Sequence, residues 1–147
     1  MKNLISGNWL STKDGDPAAF QIFKRHYSFH EYRDNRRMTD RRFCGPGKKI
    51  VLVTRDYKAL FVWRKFIDPS GQKGVNCSIF RNETEILSSD LILEAEQLAW
   101  NKWPGQRLYT YVNGKKVHGD GVCFKHAGWK KLNKRTGSGL IVLEKLP

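Results

Sequence analysis

Cysteine is scarce and poorly placed for cross-linking: Cys44, Cys77 and Cys123 are far apart and odd in number. That argues against a secreted disulfide framework and for reduced thiols in a cytosolic setting. No stretch reaches the length of apolar sequence that a membrane span needs, and Met1 to Asp14 carries a charged or polar residue every few positions. Neither a span nor a signal peptide is expected, and the chain is read as intracellular. Internal repeats and low-complexity tracts are lacking as well, which argues against solenoids and disordered tails. Negative charge is the remaining deficit, with 14 Asp and Glu against 27 Lys and Arg.

The resulting net charge of +13 attracts phosphates over about 8 Å in physiological salt. Nucleic acid, DNA first, is the expected partner; the plainer reading is a charge that only keeps the protein soluble. At 147 residues one domain is the default, and eight Phe, five Tyr and five Trp supply a core despite the many charges.

Asp16 and Pro17 open a helix that carries Ala19, Phe20, Phe23 and Tyr27 on one face and is expected to run to about Glu31. A basic loop follows, Tyr32 to Arg42, with Arg33, Arg36, Arg37, Arg41 and Arg42. After the turn Cys44 to Gly47, strands are expected at Ile50 to Thr54, Ala59 to Phe66 and Val75 to Phe80, the first two as a hairpin. Arg81 to Leu87 reads as irregular. The clearest helix comes next: Ser88 or Ser89 caps it, Asp90 favours its positive end, and Leu91, Ile92, Ala95, Leu98 and Ala99 form its core stripe, with Glu94 and Glu96 toward water. Trp103-Pro104-Gly105 stops it. A strand at Leu108 to Val112, a short helix within Asp120 to Lys131 and a strand at Leu140 to Leu143 complete an α/β (α+β) pattern of mixed sheet with helices packed on it.

From Val75 onward the chain resembles the GNAT-type acyltransferases. The stretch Gly121-Val-Cys-Phe-Lys-His-Ala-Gly-Trp129 reads as a short helix ending in an aromatic residue after Ala-Gly, and its ending Ala127-Gly128-Trp129 is the most specific word. A narrower resemblance is to the phage Mom-like branch, which modifies adenine in DNA. The matching words are His26-Tyr27-Ser28, Asn82-Glu83 with Ser88-Ser89, and Thr110-Tyr111-Val112-Asn113; the family's acidic residue at the end of that strand is Asn113 here. The resemblance implies a GNAT-like sheet with helices on both faces. It also implies acyl-CoA or acetyl-CoA as cofactor, its pyrophosphate at the amino end of the central helix, with Asn82, Ser88, Ser89, Asn113 and Phe124 on the cofactor side. Where that family has a glycine-containing loop, Arg81 to Leu87 holds no glycine. The amides near Leu87, Ser88 and Ser89 remain the candidate anion cradle, with plain capping as the other reading of the serines.

Candidate chemistry falls on His26, Tyr27, Ser28, Glu83 and Tyr111. His26 and His30 share a face if the first helix continues, and a histidine titrates near neutrality, suiting acid or base work; the alternative is a hydrogen-bonded structural histidine. Glu83, ahead of the central helix, is the candidate general base, or else a solvated carboxylate. Tyr109 and Tyr111 share a strand face, toward a cleft or the core. His118, Cys123 and His126 have donors that suit zinc but lack a fourth ligand and paired cysteine spacing, so no metal is expected. Lys125, Lys130, Lys131, Lys134 and Arg135 form a second basic segment, interleaved with Phe124 and Trp129, and with the arginine loop they are expected to rim the cleft.

The reading is a GNAT-fold transferase that acylates an amine on a nucleic-acid base or nucleotide. A catalytically inactive module binding nucleic acid or a host protein and an N-acetyltransferase of proteins or small amines are the alternatives.

Overall fold

The apolar run Ala59 to Trp63 is buried at every position, as expected of a strand covered on both faces, and it lies at the middle of the sheet. The computed structural model describes residues 3–26, 42–115, 119 and 121–147. Within them β1 (Asn3–Ser6), β2 (Trp9–Thr12), β3 (Lys48–Thr54), β4 (Ala59–Lys65), β5 (Val75–Asn82), β6 (Leu108–Val112), β7 (Lys130–Lys131) and β8 (Ile141–Lys145) form one sheet in the order β1-β2-β3-β4-β5-β6-β8-β7. Neighbours are antiparallel except β5 and β6. Those two are parallel and are joined by α2 (Ser88–Lys102), the long crossover that parallel strands require. With α1 (Pro17–Phe23) and α3 (Val122–His126), the described residues make a single α+β domain built on a mixed sheet.

Alternation along the strands sorts the core into two layers. Leu52, Phe61 and Trp63 turn to the face that carries α2 and α3, while Val51, Val53, Leu60 and Val62 turn to α1. Two indoles tie α2 down: Trp9 Nε1 donates to the Leu91 carbonyl at 3.0 Å and Trp63 Nε1 to the Ala95 carbonyl at 2.8 Å.

Several expectations need correction. The first helix ends at Phe23 instead of continuing to about Glu31; Arg25 N and His26 N bond back to Ile22 and Phe23 carbonyls, a tightening that turns the chain. His26 thus lies beyond the helix, and His30 falls outside the described residues. Leu87, without a side-chain bond, occupies the cap of α2; the Ser88 hydroxyl instead accepts Asn82 Nδ2 at 2.9 Å. Glu96 does not face water. It is 1% exposed and bonds Lys145 Nζ and Trp129 Nε1, both at 2.7 Å. Glu94 is half-buried and accepts from Asn8 N and Nδ2. The third strand runs on through Asn82 into the stretch read as irregular, and the last helix is only Val122–His126. Strands β1, β2 and β7 are additional.

Candidate active-site cleft

Parallel pairing of β5 with β6 covers only Val75 to Cys77 against Leu108 to Thr110. Beyond it the register of β4 on β5 shifts, with Trp63 opposite Cys77 but Val62 opposite Ile79, so Ser78 is one residue too many and bulges. From there β5 follows β4 to Asn82 and β6 follows β8 to Val112. Between them opens a cavity of about 260 Å³, lined by His26, Ser78, Phe80, Thr110, Tyr111, Val112 and the start of α3 from Gly121 to Phe124. Gly121 sets α3 at the cavity's edge: its φ is 84°, and a Cβ there would lie 2.8 Å from Leu143 Cδ1.

The polar side chains of this cleft share one property. Thr110 Oγ1 donates to the Cys77 carbonyl at 2.8 Å, Ser78 Oγ to Asn76 Oδ1 at 2.9 Å, and Tyr111 Oη to Asp68 Oδ2 at 2.6 Å. A hydroxyl has one hydrogen, and in all three it is committed to a protein acceptor. Asp68 also takes Tyr109 Oη at 2.7 Å and Ser70 N at 2.8 Å. Burial works to raise its proton affinity, but these donors outweigh it and hold the carboxyl ionised. Burial, then the bond to Asp68, pushes the Tyr111 phenol up to about 12.

His26, 8% exposed, is held neutral: burial and the nearby Arg81 lower its pKa to about 4, against a hydrogen bond to the Phe80 backbone that works to raise it. Burial also raises the pKa of Cys77 and Cys123, which stay thiols at the cavity wall.

Glu83 is placed differently from the other candidates and does not line the cavity. Arg25 grips both its oxygens, Nε at 2.7 Å and Nη2 at 2.9 Å, and Arg81 Nε bonds it as well. These bonds, that of Arg25 first, pull its pKa to about 2, far below that of a working base near neutrality. Its carboxylate fastens the turn after α1 to the end of β5.

The loop into α2 bears on the cofactor. Asn82 Oδ1 accepts Thr84 N and Thr84 Oγ1, Thr84 Oγ1 accepts Ile86 N, and Glu83 N bonds the Lys58 carbonyl. Side chains and backbone thus occupy the amides of Glu83, Thr84 and Ile86, ahead of the first turn of α2. Glu85 and Asp90 stand exposed at the same helix end. The loop holds no glycine, and two carboxylates at the helix end work against a pyrophosphate there. Asn82 and Ser88 bond each other in the turn before α2 and Ser89 is half-buried in its first turn, while Phe124 packs edge-on against Phe80 in the cleft wall with ring centroids 5.9 Å apart.

Tyr27, Ser28, Arg33, Arg36, Arg37, Arg41 and His118 lie outside the described residues. Arg42, Lys130, Lys131, Lys134 and Arg135 are exposed. Phe124 and Trp129 turn inward, 6% and 4% exposed, and so are not surface stacking partners. Asn113 and Lys115, directly after β6, border a second hollow of about 550 Å³ with Arg135, so part of the C-terminal basic segment reaches the cleft's end of β6. Among the described residues no cluster of three or more His, Cys, Asp or Glu suits a metal ion, and no helix is long and apolar enough to cross a membrane. Sequence reasoning missed Asp68, Ser78 and Thr110; the only signal was the turn word Asp68-Pro69-Ser70-Gly71, whose carboxylate reaches far beyond its own turn. No protein-family model, curated protein or solved structure matches the chain.

Proposed function

We propose that the chain is a GNAT-fold transferase that acylates an amine of a nucleic-acid base or nucleotide in the cleft between β5 and β6. The observation that carries the reading is the hydrogen-bond polarity of the cleft, where the hydroxyl hydrogens of Ser78, Thr110 and Tyr111 are already given to protein acceptors. Such a lining favours a ligand rich in N–H and disfavours a phosphate or carboxylate. Phe80, Phe124 and Val112 supply the apolar walls that a flat ring needs. The mixed sheet with α1 on one face and α2 and α3 on the other agrees with the resemblance, and Lys115 and Arg135 beside the cleft suit a phosphate backbone.

In this reading the amine nitrogen attacks the acyl carbon of an activated acyl donor; the C–N bond forms and the bond to the leaving group breaks. The nitrogen becomes cationic and acidic on addition, so the weakly basic neutral His26 suffices to take its proton, which then passes to the leaving group. Tyr111 Oη orients the amine as an acceptor, its own hydrogen being held by Asp68. Acyl-CoA is a poor fit at the amino end of α2, which favours a donor without a pyrophosphate.

That same misfit favours a second reading, a GNAT-like domain that binds nucleic acid without catalysis. Incubating the protein with DNA and a panel of acyl donors, followed by digestion to nucleosides and mass spectrometry, separates the two. A nucleoside carrying an added acyl mass, lost in His26→Gln, supports the transferase; unmodified nucleosides with every donor, beside tight DNA binding, select the binding module.

A further inference from the structure

Ile67 is 96% exposed, yet both its neighbours in the chain are fixed. On one side the Phe66 ring lies 3.4 Å from the Arg64 guanidinium carbon, and Arg64 Nη1 is itself bonded to the Cys44 carbonyl at 2.8 Å. On the other, Asp68 is held by Tyr109, Tyr111 and the Ser70 amide. The loop therefore presents one bare isoleucine on a rigid mount, where a merely flexible loop would let it fold back.

The surroundings are cationic. Lys48 pairs in register with Lys65 at the ends of β3 and β4, directly before the loop. Arg107 Nη1 bonds the Lys73 carbonyl, and Lys102 Nζ reaches the Lys49 carbonyl, which brings those cations to the same end of the sheet. The carboxylates there are engaged: Asp14 near Lys49 Nζ at 3.7 Å, Glu144 with Arg107 Nε at 2.7 Å, and Asp68 with its tyrosines. Among the described residues no carboxylate pairs with Lys48, Lys65 or Lys73.

We infer that this end of the sheet is a nucleic-acid duplex-binding surface on which Ile67 acts as a wedge between base steps while Lys48, Lys65 and Lys73 neutralise flanking phosphates. An apolar wedge needs stiffness to unstack a step, and cations beside it to hold the deformed backbone. A single isoleucine gives a lipid surface too little apolar area for stable insertion, so charge complementarity favours the duplex. The inference rests on the loop and its lysines and stands apart from the cleft chemistry.

The test uses the full chain and a short DNA duplex carrying 2-aminopurine, read by anisotropy across a salt series and by 2-aminopurine fluorescence. Binding with a fluorescence rise is expected. Ile67→Ser should weaken it about tenfold, leave the salt slope unchanged and remove the rise. Lys65→Ala and Lys73→Ala should each reduce the slope by about one. Unchanged affinity and fluorescence in Ile67→Ser, unchanged slopes in the lysine variants, or sedimentation with phosphatidylserine vesicles and no duplex binding would each overturn the inference.

Discussion

Tyr111 gives its only hydroxyl hydrogen to Asp68 Oδ2 across 2.6 Å, and Tyr109 gives its own to the same oxygen across 2.7 Å. One carboxylate oxygen thus fixes two phenols, of which Tyr111 faces the cleft. Removing the hydroxyl in Tyr111→Phe deletes one hydrogen bond and is expected to cost about 1 kcal/mol of stability. Transfer to an amine should fall at least about tenfold. Asp68→Asn should cost more, up to about 3 kcal/mol, because an ionised acceptor of several donors is lost. Thermal melts and the nucleoside assay together check both.

His26 ties stability to pH. Its pKa is lowered from about 6.5 to about 4 on folding, so the folded state binds fewer protons than the unfolded chain between those values. The contribution is fully present above pH 6.5 and is lost as pH falls toward 4, a total of about 3 kcal/mol. Urea melts from pH 7 to pH 4 should show the decline, and His26→Gln should flatten it.

The clamp on Glu83 titrates in a lower window. A carboxyl drawn from 4.5 to about 2 stabilises the fold above pH 4.5 and loses that effect as pH falls through 2. Partial exposure of the Arg25 side chain, 45%, screens the pair, so about 1 kcal/mol is expected. Glu83→Gln should lower the midpoint of thermal unfolding at pH 7 and much less at pH 2.

Glu96→Ala leaves Lys145 Nζ and Trp129 Nε1 without their carboxylate beneath α2. A cost of about 3 kcal/mol follows for breaking a largely buried pair from one side. Burial raises the Glu96 proton affinity while Lys145 and Trp129 oppose it, so Glu96→Gln, which keeps an acceptor for the indole, should cost less. Denaturant midpoints of the two variants compare them.

A calorimetric titration with acyl-CoA should show no saturable heat, because Glu85 and Asp90 stand at the amino end of α2 and the loop before it holds no glycine. Saturable binding that disappears in Ser88→Asp would contradict this.

Elements with strong local patterns were legible in the sequence. The stripe Leu91, Ile92, Ala95, Leu98 and Ala99 defines α2, and its stop at Trp103 is where the helix ends. Leu108 to Val112 is a strand with the expected bounds. What failed depended on distant partners. Glu96 reads as a solvated carboxylate until Lys145 arrives from β8, and Asp68 reads as a turn residue until the tyrosines of β6 close over it. The two residues of β7 are a strand only because β8 pairs with them. The cleft itself comes from the extra residue at Ser78 and the short parallel pairing beside it, a matter of register that no local composition encodes.

The central claim is that the cleft between β5 and β6 acylates an amine of a nucleic-acid base. Nucleoside mass spectrometry of DNA treated with the protein and a panel of acyl donors addresses it most directly. The account predicts an acyl mass added to an amino-bearing nucleoside by the parent protein and its loss in His26→Gln and Tyr111→Phe. Unmodified nucleosides with every donor, or modification undiminished in both variants, would contradict it.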